Sequence, residues 1–127
     1  MSCSKISTQK KNWDDTKAAC QSAGDRLAVF DSLESISWAK HMRKTHQDWI
    51  THVNDYLWIG GREFHGQWQW DGNIRKDIVV ADWHEDQPNN TGGSQECLGL
   101  LEKGRELQWD DGTCSYAAYY ICEKLLR

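Results

Sequence analysis

The sequence predicts an α+β domain with one core, on three observations. Two capped stretches with apolar stripes lie in the first third of the chain. Around Gly60 the pattern changes to short, aromatic, β-prone pieces. Between Trp70 and Cys97 runs a long segment with little regular pattern, and an irregular stretch of that length inside a compact domain tends to carry function. The 127 residues are enough for one core and too few for two, so residues 1–127 read as a single domain.

The first helix is expected over "WDDTKAACQSAG", 13 to 24. Asn12 can cap it, Asp14 and Asp15 suit its first turn, and Trp13, Ala19 and Cys20 form an apolar stripe that ends at Gly24. A second is expected over "SLESISWAKHMRK", with Asp31 and Glu34 spaced as a capping box, Leu33 and Ile36 on its apolar side and a basic last turn. "LAVF" at 27 to 30 reads as a short strand between them. Further strands are expected at 56 to 61, 67 to 70, 97 to 101, 107 to 111 and 119 to 125, forming an antiparallel sheet, with "EFHGQ" and "DGN" as turns. No internal repeat, low-complexity tract or linker is seen. Of the eight tryptophans, Trp13, Trp38, Trp58, Trp70 and Trp109 are expected to pack the core rather than to form stacking platforms.

Composition excludes several classes. Fifteen basic and 19 acidic residues, net −4, are interspersed, which gives no nucleic-acid footprint. Mean hydropathy is −0.79, and no apolar run approaches the roughly 18 residues of a membrane span. The chain opens without a secretory h-region, so Met1 is expected to start a mature or truncated chain. No G-x-S-x-G, H-E-x-x-H or phosphate-binding glycine loop occurs, and His41, His46, His52, His65 and His84 are scattered, so no enzyme is expected.

Cys3, Cys20, Cys97, Cys114 and Cys122 show no zinc-site spacing, and disulfides in an oxidising compartment are the better reading than reduced thiols. A Cys20–Cys122 bridge would tie the first helix to the last strand, and a Cys97–Cys114 bridge would clip the end of the irregular segment. Cys3 is left over, free, paired to a cysteine further upstream, or joined to another chain.

With these pieces laid out, the chain resembles the C-type lectin-like domain over nearly its whole length. "WDDTKAAC", "WIGG" at 58 to 61 and "WQWDG" at 68 to 72 are similar to its first helix, its central strand and the stretch that follows. "QPNN" ahead of Cys97, "WDDGTC" at 109 to 114 and "YYICE" at 119 to 123 are similar to the sugar-site loop, the adjoining strand and the closing strand. The resemblance implies two helices flanking antiparallel sheets with a long loop region, and the pairings Cys20–Cys122 and Cys97–Cys114. It also implies a secreted lectin of the kind used in innate recognition, with Cys3 at the place of the second cysteine of an N-terminal hairpin whose partner is absent.

In sugar-binding members an E/Q-P-N/D motif, an acidic residue eight positions on and W-N-D hold one calcium, and two sugar hydroxyls complete its shell. Carried over, the calcium ligands are Gln87, Asn89, Gln95, Asp110 and Asp111, with Pro88 cis. The same Gln87, Asn89, Gln95 and Asp110 would meet the sugar, with His84 or Trp109 as an aromatic face. Two positions depart from the family: Gln95 replaces the acid and Asp110 the asparagine, so the set carries −2 instead of −3 and a weaker site is expected. Glu96 would face the wrong way in a regular strand pinned by Cys97, so it substitutes only with a local bulge. Glu85 and Asp86 are further loop carboxylates. Gln87 argues for galactose-type sugars and Asn89 for mannose-type, with galactose favoured.

The expected function is therefore calcium-assisted glycan binding, made useful by multivalency through a Cys3-linked homodimer. The alternatives are a calcium-independent module for sugar or a protein ligand, and a surface-recognition role such as ice binding. Asn89-Asn90-Thr91 also matches a glycosylation sequon, expected to be incidental.

Overall fold

The computed structural model describes residues 4–45, 56–71, 75–83, 95–101 and 107–124. In chain order these are β1 (Ser4–Ile6), α1 (Trp13–Ser22), β2 (Asp25–Leu27), α2 (Leu33–Thr45), β3 (Tyr56–Phe64), β4 (Gln67–Trp70), β5 (Lys76–Asp77), β6 (Gln95–Leu101), β7 (Gln108–Thr113) and β8 (Tyr119–Lys124).

α1 begins as its sequence requires: Asn12 Oδ1 accepts the Asp15 N–H at 2.8 Å, and the helix ends before Gly24, whose φ of +80° suits glycine. α2 starts differently from the expectation. Ser32 Oγ accepts the Ser35 N–H at 3.1 Å and Ser35 Oγ accepts the Ser32 N–H at 3.2 Å, so two serines form the reciprocal cap. Asp31 instead faces Lys76 across the surface at 3.3 Å, and Leu33 is 70% exposed.

The strand expected at 27 to 30 lies earlier, at Asp25–Leu27, because these residues pair with Lys124, Glu123 and Cys122 of β8. Ala28 continues the contact outside the strand, donating to Ile121 and accepting from Gly60. The hairpin between β3 and β4 turns on His65 and Gly66, both at positive φ.

The sheet is mixed, not wholly antiparallel. Its main path runs β1-β8-β3-β4-β5, with β2 also on β8, and β6 between β3 and β7. β8 lies parallel to β3, with Leu57 opposite Tyr119 and Trp58 opposite Tyr120. Alternation along β3 splits the interior in two. Leu57 and Ile59 join Phe30, Leu98, Leu100 and Trp109 on one side. Tyr56 and Trp58 join Trp13, Cys20 and Tyr120 on the other.

Trp13, Trp58, Trp70 and Trp109 are buried, and Trp38 packs half-buried against the cluster that holds Trp70 and Trp109, so the core role of all five holds. Cys20 is bonded to Cys122 and Cys97 to Cys114, with Cα–Cα distances of 5.5 and 5.2 Å. Cys3 lies outside the described residues.

Candidate functional site

The described part of the irregular segment is anchored by backbone and aromatic contacts. Ile78 N–H donates to Trp68 at 3.0 Å, and Trp109 N–H donates to the Asp82 carbonyl at 2.8 Å. Trp83 then forms a parallel bridge with Trp109. Their rings stack edge to face at 5.8 Å, Trp83 meets Trp68 at 5.1 Å, and Trp70 meets Trp109 at 5.5 Å. Lys40 of α2 reaches Asp82 at 2.6 Å and ties the segment down. The chain is thus delivered to the outer edge of β7, one residue from Asp110, at the point where the segment carrying Gln87 and Asn89 begins.

Asp110 and Asp111 follow Trp109 in β7, and strand alternation sends their side chains to opposite faces. Asp111 lies opposite Leu98 and shares the face of Leu100 and Trp109, fully buried at 0% exposure. Asp110 lies opposite Gly99 on the Tyr56 side, half-buried, and its carbonyl accepts the Tyr56 hydroxyl at 2.8 Å.

The start of β6 is irregular. Gln95 pairs with Thr113 but Cys97 pairs with Gly112, so Glu96 is one extra residue opposite β7. This is a β-bulge, which breaks the strict alternation of neighbouring side chains. The bulge required for Glu96 to substitute is therefore present, and Glu96 is half-buried beside the bridge to Cys114.

Of the expected ligands, the structure places Asp110 and Asp111 in the middle of β7, opposite Gly99 and Leu98, and the backbone of Gln95 at the start of β6, opposite Thr113. Gln87, Asn89 and His84 lie outside the described residues, as do Glu85 and Asp86. Trp109 is 1% exposed and cannot offer a face to a sugar. Among the described residues no three His, Cys, Asp or Glu side chains converge. The donors present nevertheless suit calcium: they are oxygen atoms, and Asp111 is a carboxylate buried on an apolar face, where a charge is costly without compensation. One of its oxygens, Oδ1, accepts no hydrogen bond, although the residue keeps other interactions. Tyr116, 47% exposed beside Asp110 and Asp111, was not foreseen, and nothing in the local sequence marks it.

With this fold and this pair of strands in view, the class of the protein is clear. The sequence profile of the lectin C-type domain matches residues 9–124, and the chain belongs to that family, whose domains are not enzymes. It is 30% identical to the hepatic lectin of Gallus gallus, over 98% of this chain and 55% of the relative, so it spans about half of that protein's length. The carbohydrate-recognition domain of a mouse scavenger receptor C-type lectin superposes with a TM-score of 0.77 at 28% identity, covering 99% of this chain and 90% of that one. A calcium-independent type II antifreeze protein superposes with a TM-score of 0.75 at 26% identity, covering 97% and 85%. Among the described residues no helix is long and apolar enough to cross a membrane.

Proposed function

We propose that this domain binds carbohydrate through one calcium ion at the outer edge of β7, held by Gln87, Asn89, Gln95, Asp110 and Asp111. The observation that carries this reading is the buried Asp111 carboxylate one residue beyond Asp110, beside the Trp83–Trp109 bridge. Calcium takes six to eight oxygen ligands in a tolerant geometry, which suits a set of amides and carboxylates from separate strands and a loop. Bound there, the ion would leave room for two sugar hydroxyls, which the same amides and carboxylates can hydrogen-bond. Turned towards the ion at the bulge, Glu96 would be a sixth donor and would restore the third negative charge that Gln95 lacks.

Galactose-type sugars are the favoured ligand, because Gln87 is an amide at the first position of the motif. A single shallow site of this kind binds a monosaccharide at about 1 mM, or about 4 kcal/mol. Multivalent presentation, with Cys3 as one link between two copies, raises this to useful strength on a glycan-covered surface. Two disulfides support an extracellular setting.

The test is thermal unfolding with calcium and with EDTA, each repeated with galactose and mannose. A calcium-dependent rise, with a further rise from one sugar, supports the reading, since ligands that bind only the native state stabilise it. The second reading is calcium-independent recognition, favoured by Gln95 in place of an acid and by the likeness to a calcium-independent antifreeze protein. It predicts the same midpoint in calcium and EDTA.

A further inference from the structure

Among the described residues three large apolar side chains stand exposed, Leu33, Val79 and Tyr116, and Tyr116 is the aromatic one. It borders a shallow hollow of about 300 Å³ on the Asp110 side of β7, together with Asp110, Gly112 and Thr113. Its main chain is held twice. The Tyr116 N–H donates to the Thr113 carbonyl at 2.9 Å, and the Tyr116 carbonyl accepts the Trp58 indole N–H at 3.0 Å. The buried Tyr56 ring backs it at 6.4 Å and 80°, an edge-to-face contact. At 47% exposure, about half of Tyr116 is left to solvent on a fixed turn.

Strand alternation puts Gly112 on the face of Asp110, two residues further along β7. A Cβ there would come within 2.8 Å of both the Trp58 ring and the Tyr56 hydroxyl, so the position stays glycine and this face of the strand stays low. A strand rises about 3.3 Å per residue, which puts the turn from Thr113 to Tyr116 about 10 Å from Asp110. That span exceeds one pyranose ring and suits two joined rings. A pyranose carries hydroxyls at its rim and C–H groups on its faces. The hydroxyls need polar partners such as Asp110, and the weakly positive C–H groups suit the electron-rich face of a phenol ring.

We infer that Tyr116 forms a second sugar subsite, packing against the apolar face of the residue linked to the sugar that the proposed calcium site holds. The preferred ligand is then a disaccharide or a longer glycan, not a single sugar. This rests on the carbohydrate reading above, and Asp110, which belongs to the proposed calcium set and lines the hollow, is where the two subsites meet.

Calorimetric titration in calcium compares galactose with lactose, and mannose with mannobiose, on the parent, Tyr116→Ala and Tyr116→Phe. For whichever monosaccharide binds, the parent is expected to hold the matching disaccharide about tenfold more tightly. Tyr116→Phe keeps the ring and should retain that gain. Tyr116→Ala should lose it while keeping the parent's monosaccharide affinity, which also shows in the same titration that the variant is folded. Equal affinity of the parent for the two ligands of a pair would overturn the inference and leave the carbohydrate reading standing. So would a full disaccharide gain in Tyr116→Ala, or a loss of monosaccharide binding there, which would set Tyr116 against the first sugar. If no sugar binds the parent, the carbohydrate reading falls and the subsite falls with it.

Discussion

Trp83 and Trp109 are joined twice, by a parallel backbone bridge and by rings 5.8 Å apart at 82°. Through this joint the irregular segment is fastened to the strand that carries Asp110 and Asp111. Trp83→Ala is expected to cost about 2–3 kcal/mol, below a full core truncation because Trp83 is only half-buried. It should also diminish the calcium-induced rise in midpoint. Urea unfolding in EDTA measures the first effect and melting in calcium the second. A full calcium response in a destabilised variant would separate the site from the joint.

Asp111 should matter most when metal is present. In EDTA, Asp111→Asn is expected to melt close to the parent, because the amide keeps the shape of the carboxylate. In calcium it should gain nothing while the parent gains. Melting both proteins in both buffers checks the pair of outcomes, and an undiminished calcium response in the variant would take Asp111 out of the ligand set.

The deficit of charge can be repaired or deepened by one residue. Gln95→Glu is expected to raise calcium affinity at least tenfold, because affinity follows ligand charge. Glu96→Gln should lower it if the bulge turns that carboxylate towards the ion. Calorimetric titration of the two variants separates their roles, and unchanged affinity in Glu96→Gln would assign its charge to the solvated surface.

The two disulfides should differ in value. In the chain-entropy picture the Cys20–Cys122 bridge, with a separation of 102 residues, contributes about 4.7 kcal/mol. Cys97–Cys114, with a separation of 17, contributes about 3 kcal/mol. Paired Cys→Ser variants unfolded in urea are expected to fall in that order. The reverse order would show that the shorter bridge acts through local order around Glu96 rather than through the unfolded chain.

Alkaline stability should depend on Tyr120. It is 8% exposed, and burial holds its phenol above the 10.0 of a free tyrosine. The unfolded chain therefore loses this proton first, so the stability it confers is complete below pH 10 and declines as pH rises from there through the folded value. Melting curves across that interval should fall more steeply for the parent than for Tyr120→Phe. Parallel curves would assign the alkaline loss to other groups.

Much of this arrangement was legible in the chain because its causes are local. Asn12, two acids and Gly24 bracket α1 within a dozen residues, and the order of cysteines and tryptophans marked the family. What escaped depends on partners far away. Ser32 and Ser35 cap α2 where Asp31 and Glu34 had the same spacing, and Asp31 is drawn instead to Lys76. β1 is only three residues long and exists through its pairing with β8. The parallel run of β8 on β3 joins residues more than sixty positions apart. The bulge at Glu96 is visible only when the registers of β6 and β7 are compared, so the condition set for Glu96 could be stated from sequence but not decided.

The pairing of β1 with β8 has a mechanical meaning. Ser4 lies opposite Glu123 and Ile6 opposite Ile121, so the two outgoing ends of the ladder are neighbours. Tension applied to both ends would open this ladder like a zipper, one rung at a time, rather than shear it all at once. The tear would reach Cys122 almost immediately and stop there, because its bond to Cys20 passes the load into α1. Drag on a tethered copy would thus fray a few terminal residues while the strands around Asp110 and Asp111 kept their shape.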